Sequence, residues 1–522
     1  MRRDLLLLSL GLGCAPDGTL GLICRNDAHC DPGQVCRQGE CVWEDDIETG
    51  ALESVGLGTS AVSTTVGSEE STTTEGTSDD GPTPSCPQVP SSGTSPAVWL
   101  AGASGFHTCA VLVDRRVKCW GSNLWGQLGQ GSAAFAIGDL PGSMGANLRQ
   151  IQLGPETLVE RAALGRHHSC AVMLTPPTAA LSGSRLRCFG SNESGELGLG
   201  SAVASWGTNV SQMQNLPEIA LGEGVIAEAV TLGVEFTCAL VSDGRVKCWG
   251  RNDEGQLGYE DTLFRGATPA TAPDQIAYVD LGVGFVAEHI NAGSYHVCAI
   301  AEDGAEVKCW GNNAAGQLGQ GDDVNRGDEV DTMGDMLEPI DLGSTEPVLA
   351  LTSGGAHSCA LLGDGSIRCW GSNDRGQLGL GISDLRVGDD ADETGAGLEA
   401  VNLAGADAVQ IVAGERHTCA RLDDGDVKCW GNNAQGQLGV GSIEDVGKRA
   451  EDMGIALESV ELGGGRSATW ITAGESHSCA VLDDGSLKCW GGNVSGQLGL
   501  EDSAARGTDP CSVGDYLPAV RL

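Results

Sequence analysis

The chain has 522 residues, including 80 glycines and 21 cysteines, and a formal net charge of −41. A protein this negative repels a phosphate backbone, which argues against nucleic acid as a partner. Abundant glycine and a 4% aromatic share favour turn-rich β-structure over a helical core, and no apolar run reaches the roughly 20 residues of a membrane-spanning helix.

The first segment, residues 1–14, reads MRRDLLLLSLGLGC. A basic pair, a short apolar run and small residues before a cysteine are typical of a secretory signal. LGLGC resembles a bacterial lipobox, in which the cysteine is lipidated and becomes the mature N-terminus. We therefore expect lipid attachment at Cys14, with this anchor as the sole membrane contact, in an exported protein of the cell envelope or outer surface. A secreted protein that loses or pairs Cys14 is the alternative.

Residues 15–43 contain four closely spaced cysteines with glycine and proline between them. A segment this short cannot build an apolar core, so we expect two disulfides to hold a small module, with their connectivity left open. A zinc site is the alternative, although no CxxC pair is present. The four cysteines are Cys24, Cys30, Cys36 and Cys41.

Residues 44–95 are dominated by serine, threonine, glycine and acidic side chains. Such a composition offers too little apolar surface to order a chain, so we expect a flexible linker. As a random coil it would span about 40 Å root-mean-square, enough to hold a head domain away from a surface.

Seven copies of one motif occupy residues 96–522. The sixth copy reads HTCARLDDGDVKCWGNNAQGQLG, from His417 to Gly439, and the copies recur about every 60 residues. A repeat of this length is typical of a propeller or a solenoid. TCARL and DVKCWG alternate as strands do, and the DDG between them supplies hairpin turn chemistry, so each copy predicts a β-hairpin.

The two cysteines of each copy stand opposite each other in such a hairpin. Opposed residues have Cα atoms about 4.5–5.5 Å apart, within the range that a disulfide tolerates. Free thiols acting as small core residues are the alternative. The expected pairs are Cys109–Cys119, Cys170–Cys188, Cys238–Cys248, Cys298–Cys309, Cys359–Cys369, Cys419–Cys429 and Cys479–Cys489.

The other chemically active residue types of the motif also have structural interpretations. Trp430 points away from the face of Cys429 and can fill the space between neighbouring sheets, a role that Phe189 takes in the second copy. A histidine recurs in six copies, with Phe236 in the remaining one, and a group offered six times is better explained as a buried hydrogen-bonding residue than as a catalyst. We expect no catalytic residue, no bound metal and no cofactor. Calcium held by the acidic loops is a weaker alternative, since no EF-hand spacing is present.

The run AGERHTCARLDDGDVKCWGNNAQGQLGVG resembles the repeat of the regulator of chromosome condensation family. The resemblance covers residues 96–522 and implies an all-β fold, a seven-bladed β-propeller of four-stranded antiparallel blades. The family's nuclear members exchange guanine nucleotides on a small GTPase, and some secreted bacterial members inhibit β-lactamases. Both activities are alternatives for this chain, and its export signal argues against the first.

The ends of the repeat region predict how the ring closes. The terminal YLPAVRL matches the segments that lead into each following copy, so joining it to the first strand, AVWLA, would complete a blade. Cys86 and Cys511 are the two cysteines left over, and we expect a disulfide between them.

The variable acidic loops between the copies are the expected binding surface, because loops on a rigid scaffold usually carry function. We expect a monomeric, noncatalytic protein that binds a protein partner of unknown identity. Aromatic residues that break the repeat are the candidate contacts, because rigid aromatic anchors dominate interfaces. They are Trp125, Phe135, Trp206 and Phe264.

Overall fold

A computed structural model describes residues 34–37, 40–43, 97–102, 105–154, 158–174 and 184–522. The sequence expectations for the signal and Cys14, for Cys24 and Cys30, for the linker and for Cys86 lie outside these residues. Within the described residues, no helix has the length and apolar character needed to cross a membrane.

The N-terminal part contributes one β-hairpin, formed by strands Gln34–Arg37 and Glu40–Trp43. The strands pair antiparallel, and their register places Cys36 opposite Cys41. This hairpin belongs to a different compact unit from the repeats.

Seven antiparallel sheets, numbered here as blades 1 to 7 in chain order, follow from residue 97 onwards. In each blade the strands are sequential neighbours, as expected when short turns join them. The inner strands, which line a central channel, are Ala97–Ala101, Val159–Leu164, Ala227–Leu232, Ala287–Ala292, Val348–Ser353, Ala408–Ala413 and Ala468–Ala473. The second strands are His107–Leu112, His168–Met173, Phe236–Val241, His296–Ala301, His357–Leu362, His417–Leu422 and His477–Leu482. The third strands are Val117–Ser122, Leu186–Ser191, Val246–Gly250, Val307–Gly311, Ile367–Ser372, Val427–Gly431 and Leu487–Gly491.

The fourth strand of each blade is very short. It has two residues in blades 1, 2 and 5, at Ala136–Ile137, Ser205–Trp206 and Arg386–Val387. In blades 3, 4, 6 and 7 it is a single bridge, such as that between Gly431 and Val446. The predicted seven-bladed, four-stranded architecture is therefore confirmed, with an outer edge that pairs over one or two residues.

Short helical turns lie in the connections between blades. One is an α-helix, Val210–Gln214, whose first turn is capped by the side chain of Asn209. The 3₁₀ turns are Gly145–Asn147, Pro269–Thr271, Gly334–Met336, Ala391–Glu393, Gly395–Gly397, Ala450–Asp452, Gly454–Ala456, Pro510–Ser512 and Gly514–Tyr516.

The hydrophobic core lies between neighbouring blades rather than within any one of them. Each cluster of buried residues combines side chains of adjacent copies, as in the cluster that joins Val427 of blade 6 to Trp490 of blade 7. A four-stranded sheet has two faces, and stacking sheets around an axis buries both. A single repeat could not bury its apolar residues alone, which explains why the copies form one body.

The ring closes differently from the sequence expectation. The terminal segment does not pair with the inner strand of blade 1 to complete a blade. Instead, Val520 N–H donates to Leu487 O of blade 7 at 2.7 Å, and Arg521 O accepts from Gly145 N–H at 2.9 Å. The corresponding Val460 bonds to Val427 O in the same way, so the segment belongs to the blade before it. Closure therefore depends on side-by-side packing of two complete blades.

Candidate functional site

The cysteines of each blade form a disulfide across the second and third strands. All seven predicted pairs are bonded, and their Cα atoms lie 4.0–4.1 Å apart. The longest loop, between Cys170 and Cys188, keeps the same pairing, since the two residues are opposed in register. Cys511 is also disulfide-bonded, while its predicted partner Cys86 lies outside the described residues.

The recurring histidines lie at the junctions between blades. Each donates from Nε2 to the hydroxyl of the next blade's second strand, and that hydroxyl donates to the main-chain carbonyl of the first blade's GQLG or GELG loop. His417, for example, bonds Ser478 Oγ at 2.9 Å, and Ser478 bonds Gln437 O at 3.1 Å. The histidine–hydroxyl pairs are His107–Ser169, His168–Thr237, His296–Ser358, His357–Thr418, His417–Ser478 and His477–Thr108.

The same loop carbonyl also accepts a bond from the tryptophan of the next blade. Trp490 Nε1–H donates to Gln437 O at 3.0 Å, and Trp120 closes the ring by donating to Gln497 O at 2.9 Å. The tryptophans therefore fill the space between sheets, as their alternation predicts, and satisfy a buried carbonyl. In blade 2, Phe189 has no N–H to donate, and the hydroxyl of Ser169 supplies the bond to Gln127 O.

The histidine–serine pairs have the distances of a catalytic dyad but not its chemistry. The one hydroxyl proton goes to the carbonyl, so Nε2 carries a proton and cannot act as the general base. Burial lowers the pKa of His107 and His417 to about 3 and that of His477 to about 4, which keeps the rings neutral. All six Nδ1 atoms are buried and, within the described part of the chain, have no hydrogen-bond partner.

The junction between blades 3 and 4 is apolar. Phe236 stands where the histidine would be, and Val297 stands where its hydroxyl partner would be; both side chains are fully buried. Because the two substitutions occur together, neither leaves a polar group unsatisfied. The loss of the histidine at Phe236 is visible within its own copy. The matching loss of the hydroxyl at Val297 was not predicted, because Val297 is 61 residues further on and directly follows the histidine of the next copy.

The Phe236–Val297 pair predicts what happens when the same two residue types replace His417 and Ser478. Ser478→Val alone should lower the free energy of unfolding by about 1–3 kcal/mol, because the N–H of His417 loses its acceptor in the core. His417→Phe alone should also destabilise. The double variant should cost less than the sum of the two, with a coupling of about 1 kcal/mol or more, as measured by urea unfolding at neutral pH. If the two losses simply add, His417 and Ser478 do not stabilise each other and the interpretation is wrong.

Glu196 departs from the repeat, since the other six copies have glutamine at its position. Its Oε2 accepts from Ser194 N–H at 2.8 Å, as Gln377 Oε1 accepts from Arg375 N–H at 2.8 Å. Burial raises the pKa of Glu196 to about 7, because the charged form would lie in the protein interior. A protonated carboxyl can imitate the amide of glutamine.

The effect of Glu196→Gln should therefore depend on pH. The folded pKa of about 7 exceeds the ordinary value of 4.5, so the glutamate destabilises the fold increasingly as the pH rises through this window. We expect the variant to gain up to about 3 kcal/mol of unfolding free energy above pH 7 and almost nothing near pH 4.5. Gln377→Glu is the matched reverse change and should lose stability over the same window in urea titrations. A pH-independent effect in both variants would contradict this assignment.

The four predicted partner contacts occupy different environments. Phe135 and Phe264 are exposed, at 75% and 47% of their surfaces. The Trp125 ring lies 6.4 Å from that of His167, centroid to centroid. Trp206 is half-buried against two core clusters and donates from Nε1 to Gln212 O at 2.7 Å. The exposed phenylalanines lie far apart along the ring, in blades 1 and 3.

A charge-free stretch distinguishes blade 1 on the face that carries the GQLG loops, which we call the loop face. Residues 119–138 contain no charged side chain, whereas the same stretch of every other copy has at least two. Phe135 O accepts from Asn123 N–H, which places Phe135 beside Leu124. The turn of blade 7 that carries Val494 contacts blade 1 through Gly496 and Gly138. We call Leu124, Trp125, Phe135 and Val494 the apolar patch.

The channel along the propeller axis is a cavity of about 430 Å³ lined by the inner strands. At its loop-face end, charged side chains reach across whole blades. Arg166 of blade 2 pairs with Glu475 of blade 7 at 3.2 Å, and Ser294 of blade 4 bonds Glu415 of blade 6 at 3.0 Å. Burial, with a smaller contribution from Glu415, raises the pKa of Glu475 to about 7. Among the described residues, no group of three or more histidine, cysteine or acidic side chains is arranged to hold a metal ion.

Comparisons with known proteins agree with this architecture. The sequence model of the RCC1-like domain family matches residues 185–520. The ultraviolet-B receptor UVR8 of Arabidopsis thaliana is 28% identical over 52% of this chain and 55% of its own length. The human E3 ubiquitin-protein ligase HERC2 is 27% identical over 77% of this chain but only 7% of its own length. The chain thus spans about half of the first relative and a small part of the ligase.

Solved structures show the same fold at low identity. Human WBSCR16 is similar over 78% of this chain and 94% of its own, with a TM-score of 0.56 and 19% identity. Yeast RCC1 (Prp20), solved bound to Kap60, is similar over 83% of this chain and 89% of its own, with a TM-score of 0.55 and 19% identity.

Proposed function

We propose, from the premise that this chain belongs to the RCC1-like domain family, that it is a noncatalytic propeller that binds a protein partner outside the cytoplasm. The family supplies the scaffold, and a scaffold of this kind presents surfaces rather than a reaction centre. Yeast Prp20, a solved protein of similar fold, binds Kap60. The ligase activity of HERC2 is not carried over, because this chain matches only 7% of that protein.

The observation that carries the proposal is the apolar patch of the loop face. Leu124, Phe135 and Val494 expose 58%, 75% and 72% of their surfaces in a protein whose carboxylates outnumber its basic residues by 71 to 30. Exposed apolar side chains on adjacent turns of a charged protein are typical of an interaction site. Residues 119–138 of blade 1 contain no charged side chain, although the same stretch of every other blade has at least two.

Charge complementarity suggests the character of the partner. The exposed Glu193 of blade 2 occupies the position equivalent to Leu124, and Asp139 directly follows the charge-free stretch of blade 1. A partner surface with an aliphatic or aromatic centre and flanking basic residues would match both the patch and its acidic surroundings.

The chemistry of the junctions supports a noncatalytic role. The six histidines are the best acid–base groups of the repeat, and all have 0–1% of their surface exposed and are committed to interblade bonds. The two alternatives, nucleotide exchange and β-lactamase inhibition, rest on family analogy, and we assign no residue of the described chain to either.

Export is supported by the disulfides together with the leader sequence. Seven disulfides in one domain are typical of oxidising compartments, since cytosolic thiols are kept reduced. The leucine-rich segment before Cys14 agrees with that compartment. The lipid anchor itself stays a prediction from sequence.

The experiment is crosslinking of the full chain, displayed on the cells that produce it, followed by identification of the linked proteins. A Leu124→Asp/Phe135→Asp variant should lose at least one partner by about tenfold or more, because a buried unpaired carboxylate is costly in an interface. Phe264→Asp is the matched control, an exposed phenylalanine among the ion pairs of blade 3, and should retain the partner. If every linked protein is recovered equally with both variants, the patch is not the binding surface.

A further inference from the structure

The channel has a distinct mouth at the end opposite the Arg166–Glu475 pair. Consecutive residues of each inner strand contribute to the channel lining, and the third and fifth positions of these strands form two levels along the channel, which we call rings. The fifth-position ring is small or neutral throughout, with residues such as Ala163, Thr352 and Thr472. The third-position ring lies nearer the hairpin turns, because each inner strand begins opposite the end of the second strand, as Ala97 does opposite Leu112.

Three consecutive blades place unusual side chains in the third-position ring. Blades 7, 1 and 2 contribute Trp470, Trp99 and Arg161, whereas blades 3 to 6 have Ala229, His289, Ala350 and Gln410 there. The three residues line one cavity. Trp470 is fixed by a bond from Nε1 to Leu100 O at 3.1 Å and still exposes 37% of its surface. Trp99 is half-buried beside it in the ring.

Arg161 alone carries a formal charge among the described residues that line the cavity. It is exposed, and within the described part of the chain it has no carboxylate partner, although most arginines of this acidic protein do. Gln410, the other polar residue of this ring on the cavity wall, is already engaged. Its amide bonds both Ile471 N–H and Ile471 O, at 3.1 and 2.9 Å.

We infer that this mouth binds a carboxylate attached to an apolar or aromatic group. Arg161 provides the planar guanidinium that pairs with a carboxylate in two parallel hydrogen bonds. The exposed part of Trp470, with the half-buried Trp99 on the same cavity wall, covers the apolar body of the ligand. The cavity volume of about 430 Å³ lies within the range of small-molecule sites. The net charge of −41 does not prevent this, because exposed charges beyond about 8 Å are screened at physiological salt.

Two sources would supply this chemistry, the C-terminal residue of a peptide and a free aryl carboxylate. Three probes separate them in calorimetric titrations of the full chain at neutral pH. N-acetylphenylalanine has the carboxylate, the ring and a peptide amide, 3-phenylpropionate lacks the amide, and N-acetylphenylalaninamide lacks the charge. We expect the first probe to bind with a Kd below about 1 mM and the third at least about tenfold more weakly. Equal binding of the first two indicates a free carboxylate, and preference for the first indicates a peptide end.

Matched variants assign the binding to this mouth. Arg161→Gln and Trp470→Ala should each weaken N-acetylphenylalanine about tenfold or more, and Arg161→Lys should retain part of the affinity. Arg416→Gln, an exposed arginine on the loop face, should bind as the unaltered chain does. Thermal melting of each variant verifies folding. The inference is overturned if no probe binds at about 5 mM, or if Arg161→Gln binds as tightly as the unaltered chain.

Discussion

Acidification from neutral pH to about pH 4.5 should sharply lower the urea concentration at which the propeller unfolds. The six junction histidines are the cause. Their folded pKa values of about 3 to 4 lie below the ordinary value of 6.5, so the unfolded chain binds more protons throughout this window. Stability is complete above pH 6.5 and is lost as the pH falls towards the folded pKa values.

Two carboxyls oppose this effect. The folded pKa values of Glu196 and Glu475 are raised to about 7, so these groups favour the folded state as the pH falls from 7 to 4.5. Six junction histidines against these two glutamates leave an uptake of about four protons on unfolding near pH 5.5, or about 5 kcal/mol per pH unit. Burial also lowers the pKa of His167, which adds to this uptake, and raises that of Glu393, which subtracts from it. Protons taken up on unfolding can be measured from the pH dependence of the urea midpoint.

The junction variant provides the control for this prediction. His417→Phe/Ser478→Val removes one buried histidine with its partner, so its slope with pH should fall by about one proton. A midpoint that is flat between pH 7 and 4.5, or a slope unaffected by the double variant, would show that the histidines are not the titrating groups.

The blade disulfides should resist reductant until the protein unfolds. Their fourteen sulfur-bearing residues expose 0–1% of their surfaces, so a thiolate cannot reach them in the folded state. Cys511 itself is half-buried, so its disulfide should be reduced before those of the blades. Counting free thiols by mass spectrometry during treatment with dithiothreitol, with and without urea, tests this order. Release of the blade thiols before that of Cys511 would contradict it.

Removing a single blade disulfide should have a large effect. Cys419→Ala/Cys429→Ala opens a link with a sequence separation of 10 and should cost about 3 kcal/mol on the chain-entropy view. Cys170→Ala/Cys188→Ala opens the longest link, with a separation of 18, and should cost about 0.5 kcal/mol more. Urea unfolding of both variants measures the difference. Unchanged stability in both would mean that strand pairing and packing suffice.

The local parts of this fold follow from the sequence, because they depend on residues close in the chain. The Asp-Gly turns and alternating strands predicted the hairpins, and opposition in register predicted Cys419–Cys429. The route of the terminal segment was predicted wrongly. YLPAVRL has strand-like composition, but composition alone does not tell whether it pairs with Ala97 or, as the structure has it, with Leu487.

The candidate sites depend on contacts between copies, which one repeat does not reveal. The hydroxyl that holds His417 belongs to the next copy, 61 residues away. The sequence did contain one indication of this bond, the joint replacement of the histidine by Phe236 and of the hydroxyl by Val297. The channel mouth had a similar signal, since Trp99 and Trp470 stand at a position that is alanine in two copies and polar in the other three. Neither tryptophan was singled out from the sequence, because a single inner strand does not show which of its side chains line the channel.

Because blades 7 and 1 are each complete before they pack together, the ring does not depend on which blade comes first in the chain. The joint between blades 7 and 1 uses the same bonds as its neighbours, His477 to Thr108 and Trp120 to Gln497. Elsewhere residues 463–467, GGGRS, suffice to lead from the equivalent of Leu522 to the equivalent of Ala97. A circularly permuted gene that linked residue 522 to residue 97 through such a spacer and began at blade 4 should encode the same ring. The order of the blades in the chain is then not required for folding.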